Sequence, residues 1–235
     1  MHLFYAPDIR MPEHILSPQE SVHCTRVLRL QASDTVFLAD GKGTLCTGEI
    51  LDPDPRGCRI RITRRQENYG ARPYHLHVAV APPKNMERFE WFVEKATEVG
   101  VDVITPLICE RSERKHCKTE RSERIAIAAM KQCKRAQMPV INRAVSFSEF
   151  LESGVLDDTS AAIACVWTDQ KRISVKEWIL KSGNRILFLI GPEGDFSPGE
   201  IREALDSGCI PVDLGESVLR TETAALSAVF LASFK

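Results

Sequence analysis

Arg185-Ile186-Leu187-Phe188-Leu189-Ile190-Gly191-Pro192-Glu193-Gly194-Asp195-Phe196-Ser197-Pro198-Gly199-Glu200 decides the fold class. The first six residues are nearly all apolar and stop abruptly at a Gly/Pro turn. A continuous apolar run bounded by turn formers reads as a strand buried on both faces, the kind found in parallel sheets. The turn leads at once into a helix start: Ser197 caps, Pro198 suits the first turn, and Glu200 closes a capping box. Strand, tight turn and helix make up the repeating unit of an α/β sheet.

The same rhythm extends outward from residue 74. Apolar runs at 76–81, 101–108, 161–166 and 209–214 alternate with helical segments, which predicts a mostly parallel sheet. Further capping-box pairs stand at Ser146/Glu149 and Ser174/Glu177. Segment 85–99 places Phe89, Phe92, Val93, Ala96 and Val99 at helical spacing, so that stripe faces a core. Trp91 lies off the stripe, either as an exposed aromatic or as part of a subunit contact.

Residues 1–68 read differently. One helix begins at Ser17-Pro18-Gln19-Glu20, where Ser17 caps, Pro18 fits the first turn and Glu20 closes a capping box, and it runs to about Arg29; strand-like runs follow at 35–39, 44–51 and 58–63. The turns between them, Asp40-Gly41-Lys42-Gly43 and Asp52-Pro53-Asp54-Pro55-Arg56-Gly57, are rich in turn formers. This is a small barrel or curled sheet. The polar stretch 65–73 separates it from the α/β domain, placed at 73–235.

The chain has 235 residues, 43% apolar and 27% charged, enough to bury a substantial core. No run approaches a membrane span and the first residues lack a secretion signal, so a cytoplasmic location is expected. Eight scattered cysteines, none at two-residue separation, suggest reduced thiols and no metal site. The net charge of −1 hides segregation, because residues 110–135 hold nine Lys or Arg against four Asp or Glu. Such a segment suits a polyanion, or forms a solvated helix face balanced by Glu120 and Glu123.

Two strand ends carry the candidate chemistry. Ile190-Gly191-Pro192-Glu193-Gly194 and Leu214-Gly215-Glu216-Ser217-Val218-Leu219-Arg220 both fall where open α/β sheets bind ligands, at the carboxyl edge. Val218 and Leu219 fit an apolar slot for a flat purine better than a solvated loop. Neither loop is G-x-G-x-x-G or a P-loop, which disfavours a pyrophosphate cradle. Taken alone, each is also an ordinary strand-to-helix turn.

His23, Val27-Leu28-Arg29, Lys84, Arg88-Phe89-Glu90-Trp91, Glu94-Lys95-Ala96-Thr97-Glu98-Val99-Gly100, Gln132 with Arg135, and the two loops together resemble the SPOUT RNA methyltransferases. Within them the resemblance is to the ribosomal RNA small subunit methyltransferase E family, and it covers almost the whole chain. It implies an α/β fold with a C-terminal trefoil-knotted methyltransferase domain and a small N-terminal PUA-like β-barrel. Pattern alone points instead to an unknotted sheet. It further implies S-adenosylmethionine as cofactor, a homodimer, 16S rRNA or the small ribosomal subunit as partner, and methylation of a uridine at N3. The cofactor positions it implies are Ile190, Gly191, Glu193, Gly194, Leu214, Gly215, Val218, Leu219, Arg220, Thr223 and Ala224. Asp195 stands where the family pattern has glycine, Ser217 where it has arginine, and Lys131 where a glutamate precedes Gln132.

A uracil N3 must lose a proton to accept a methyl, which calls for a base or for cations that stabilise the anion. Arg220 and Glu222 are the nearest candidates, with an ion pair anchoring the last helix as the plain alternative. For RNA, His23, Arg26 and Arg29 fall on successive turns of the expected helix, and Arg59 and Arg61 share a strand face. Lys84, Arg88, Arg111, Arg114 and Arg135 complete the candidate RNA-binding set. Two other functions stay open: a knotted methyltransferase acting on a ribose 2′-hydroxyl or another base, and a non-catalytic RNA-binding assembly factor.

Overall fold

A computed structural model describes residues 1–166 and 168–235. The chain forms two compact units, Met1–Ala71 with Ile127–Met138, and Arg72–Ala126 with Pro139–Lys235.

The first unit is built from β1 (Leu3–Tyr5), β2 (Glu13–Ile15), α1 (Pro18–Val22), β3 (Thr35–Ala39), β4 (Leu45–Asp52) and β5 (Arg59–Gln66), ordered β1-β3-β4-β5-β2. Alternation drives it: Ile60 and Ile62 are buried while Arg59, Arg61 and Arg64 are exposed, the period of a half-buried strand. Phe4, Leu16, Val36, Leu38, Ile50 and Ile60 make the centre of its core. Edge strands β1 and β2, three residues each, are too short to announce themselves in sequence.

Segment 127–138 completes this unit. Met130 and Ala136 pack with Leu3, Ala39 and Leu45, and Gln137 bridges to Gly41 and Lys42. Lys131 Nζ holds both carboxylate oxygens of Glu20 at 2.5 and 2.8 Å. This corrects the capping-box expectation: Ser17 Oγ accepts from Glu20 N, but the Glu20 carboxylate turns to Lys131. It also gives the departure at Lys131 a local role, since a glutamate there would face Glu20.

The expected helix to Arg29 is corrected as well. After Val22 the backbone widens into a π-turn, His23–Val27, and Arg29 takes a left-handed conformation at φ 56°. His23, Arg26 and Arg29 therefore do not line up on α-helical turns.

The second unit comprises β6 (His75–Val80), α2 (Met86–Val99), β7 (Val103–Ile108), β8 (Val140–Ile141), β9 (Val145–Ser146), α4 (Phe147–Glu152), β10 (Ser160–Ala164), β11 (Ile173–Ser174), α5 (Val175–Lys181), β12 (Arg185–Ile190), α6 (Pro198–Asp206), β13 (Ile210–Asp213) and α7 (Thr221–Ala232). Helix α3 (Glu120–Gln132) begins in it and ends in the first unit. All ladders among the described residues of this unit are parallel, in the order β11-β13-β10-β12-β6-β7-β8, with β9 also on β7. Strand β12 spans residues 185–190 as expected and lies between β6 and β10, buried from Ile186 to Ile190.

Helices cover both faces. On one, Phe89, Phe92 and Val93 of α2 pack with Ala225, Ala228 and Val229 of α7; on the other, Phe147 and Phe150 of α4 meet Ile201 and Ala204 of α6. The capping box at Ser197 and Glu200 is complete. Ser146 accepts from Glu149 N, whereas Ser174 makes no side-chain cap bond, so of these three expected boxes only the one in the opening stretch forms in full.

Candidate active site

Parallel strands place their carboxyl ends on one edge, and here the loops of that edge are tied together. Ala81 N, following β6, donates to Ile190 O at 2.9 Å. Lys84 N donates to Glu193 Oε1 at 3.0 Å. Arg111 Nη1 donates to Gly194 O at 2.9 Å and Phe196 O at 3.2 Å, while Arg114 Nη2 donates to Lys84 O at 2.8 Å. The two loops singled out in sequence are joined directly, because Thr221 Oγ1 at the start of α7 donates to Gly191 O at 3.1 Å.

Two glycines in these loops are required by the backbone. A Cβ on Gly191 would stand 3.1–3.2 Å from the Phe196 ring and its amide nitrogen. Gly215 sits at φ 124°, a conformation side chains disfavour. Asp195, at φ 62°, explains why the family pattern has glycine there. Its carboxylate supports the turn, accepting from Phe196 N at 2.8 Å and Val166 N at 2.9 Å.

Around these glycines, Ile190 and Gly191 are buried, Leu214, Leu219 and Ala224 half-buried, and Gly194, Thr223 and Arg220 exposed. Val218 is 79% exposed, an apolar side chain held in the open beside main-chain groups. A cleft of about 340 Å³ opens beside the loops, lined by Asn85, Arg88 and Trp91 of the α2 start and by Arg220, Glu222 and Thr223 of the α7 start. Arg88 Nε lies 3.8 Å from Glu222 Oε1, and Glu222 Oε2 is buried without a hydrogen-bond partner.

The structure thus brings Arg220, Glu222, Thr223 and Arg88 to one cleft and ties Gly191 to the start of α7 through Thr221, while Glu193 and Gly194 bond instead to Lys84 and Arg111. Arg111 and Arg114, expected to face RNA, use donors to hold the strand-end loops. Lys84 is exposed and pairs with Glu113 at 2.8 Å. In the first unit Arg26 and Arg29 are exposed, Arg135 is half-buried, and the His23 ring meets Phe4 edge-on at 6.2 Å. Arg59 and Arg61 stand opposite Asp52 and Glu49 on β4, so acidic neighbours interrupt that basic face. Sequence reading missed Asn85, whose only signal was its place before an apolar-periodic run, and left Trp91 unassigned.

A family model described as RNA methyltransferase domain matches residues 71–233, and one described as RNA methyltransferase PUA domain matches residues 16–63. The chain is 30% identical to the ribosomal RNA small subunit methyltransferase E of Aquifex aeolicus, with 97% of each chain covered. The chain belongs to the ribosomal RNA small subunit methyltransferase E family. Solved structures agree. A probable rRNA-methyltransferase from Porphyromonas gingivalis superposes with a TM-score of 0.88 at 38% identity over 100% of both chains. The small subunit methyltransferase E of Neisseria gonorrhoeae, bound to S-adenosyl methionine, superposes with 0.85 at 26% identity over 97% of this chain and 95% of its own. The chain has a mixed α/β fold with a PUA-type N-terminal domain, as the resemblance implied.

Proposed function

We propose that the chain transfers a methyl group from S-adenosylmethionine to N3 of a uridine in 16S rRNA of the small ribosomal subunit. The observation that carries this reading is the cleft in which Arg88, Arg220 and Glu222 stand together, one hydrogen bond away from the glycine loop through Thr221. The residues suit the cofactor. Gly215, exposed and with open space where a Cβ would stand, leaves the main chain bare for polar recognition, and the open Val218 beside Leu219 offers an apolar wall for a purine. When bound, the cofactor supplies an electrophilic methyl on a sulfonium.

The chain's own part is positioning and proton handling. Glu222, with an unpartnered oxygen, accepts the proton from uracil N3. Arg88 and Arg220 stabilise the negative charge that then spreads onto the carbonyl oxygens. Glu222→Gln keeps size and loses basicity; methyl transfer is expected to fall by roughly 10²–10⁴ with cofactor affinity unchanged by calorimetry.

Residues 1–68, completed by segment 127–138, act as the PUA-like RNA-binding barrel and the rest of 73–235 as the methyltransferase domain, with the trefoil knot of the SPOUT fold. The insertion of β12 between β6 and β10, and the return of α7 onto α2 and β6, support that topology. Exposed Leu180, Phe230 and Phe234 support a homodimer. No helix among the described residues is long and apolar enough to cross a membrane, in keeping with a cytoplasmic protein acting on ribosomes.

The deciding experiment incubates the protein and labelled cofactor with small subunits from cells lacking the activity, then maps the modified nucleotide. Label on a uridine base is expected. Label on a ribose or another base moves the chain to a different SPOUT activity, and absence of label with intact cofactor binding makes it a non-catalytic RNA-binding factor.

A further inference from the structure

Asn85, Arg88 and Trp91 recur every three residues and so share one side of the α2 start. Trp91 is 42% exposed on that side while the stripe of Phe89, Phe92 and Val93 forms the core on the other. An indole held half out of the core, on the lip of a charged cleft, is a stacking face. The groups beside it complement one base edge. The guanidinium groups of Arg88 and Arg220 donate hydrogen bonds and the carboxylate of Glu222 accepts them; Glu87 is the other carboxylate of the lining. Uracil carries two carbonyl acceptors on either side of an N3 donor, so two donors and one acceptor suit it. Cytosine presents an acceptor at N3 and a donor at C4, and would leave the carboxylate facing a lone pair.

We propose that the cleft between the starts of α2 and α7 seats a uracil turned out of the RNA stack, with Trp91 packed on its face and Arg88, Glu222 and Arg220 on its edge. The inference rests on the methyltransferase reading above and adds a selecting residue that the reading does not contain. Enzymes working on a base take it out of the stack and hold it between apolar or aromatic groups. Trp91 is a binding and selecting residue here, and the proton passes to Glu222.

The test has two arms. In the first, Trp91→Ala and Trp91→Phe are compared for methyl transfer to unmodified small subunits, for cofactor affinity by calorimetry, and for mass by sedimentation. Trp91→Ala is expected to lower kcat/KM by about tenfold to a hundredfold, and Trp91→Phe to recover most of it, with cofactor affinity and mass unchanged. Unchanged kcat/KM in Trp91→Ala, or a loss that follows a change of mass and is not recovered by Phe, overturns the proposal. In the second arm, small-subunit rRNA carrying 5-iodouridine is irradiated with the wild-type protein and the cross-linked peptide is mapped. A cross-link on Trp91 supports the seat and one elsewhere, or none, overturns it. This arm needs no methyl transfer, so a chain that fails to methylate but cross-links at Trp91 loses the catalytic reading and keeps the uracil seat.

Discussion

His77 sits on β6 in the middle of a parallel sheet, 8% exposed, where no water can carry its charge. Its Nε2 is 2.7 Å from Thr105 Oγ1, which also accepts from the Asn142 amide at 2.8 Å, and the Phe150 ring stands edge-on at 5.5 Å. Burial, with a smaller contribution from His75, pushes its pKa down to about 4. The unfolded chain thus binds the proton more readily than the folded one between that value and the ordinary value of about 6.5. Stability from this group is fully present above pH 6.5 and is lost as the pH falls toward 4, on the order of 3 kcal/mol. Denaturant midpoints measured from pH 7.5 to 4.5 should drop accordingly, and His77→Gln should flatten that part of the profile. Gly215 makes a second prediction at this scale: at φ 124° an alanine costs about 1–3 kcal/mol, read in urea unfolding, and weakens cofactor binding because the loop must shift.

Elements show why some of the structure is readable and some is not. Strand β12 and the capping box of α6 were plain in sequence because every local signal there agrees: apolar run, turn residues, cap. The stretch after Val22 reads in sequence as a plain helix because a π-turn depends on one extra residue in the ladder, which leaves no mark on composition. Glu20 reads as a capping residue in sequence because its partner, Lys131, is more than a hundred residues away; only the fold reveals the pair. Both side chains are largely shielded, 22% and 11% exposed. Lys131→Glu is therefore expected to destabilise by about 3 kcal/mol, and the reversed pair Glu20→Lys with Lys131→Glu to recover most of it. Thermal unfolding of the two single variants and the double variant measures the coupling directly.

At the scale of the molecule, parallel order was legible and strand order was not. Alternating strands and helices announce a parallel sheet, yet no residue of β12 says that its neighbours are β6 and β10 rather than a sequence neighbour. In the same way the loops 191–194 and 214–220 were visible one by one, while the cleft beside them appears only when α2 and α7 pack together. Strand pairings this distant in sequence fold slowly, because the chain must close long loops before any pairing is gained. A chain cut after Asn184 lacks the strand that joins β6 to β10, and is expected to unfold without a cooperative transition for its second unit when followed by circular dichroism.

Segment 127–138 gives the first unit a history as well as a shape. Leu3, Ala39 and Leu45 find their cover in Met130 and Ala136, and Gly43 N in Ala136 O. A growing polypeptide delivers residues 1–71 first and that cover later, at roughly 5–20 residues per second. For several seconds of every synthesis an apolar patch on the newborn sheet stands uncovered. Stalled nascent chains ending near residue 110 should therefore be cut readily by protease within 1–71, and chains ending beyond 170 should resist, so an early piece of this protein is a client for chaperones before it is an enzyme.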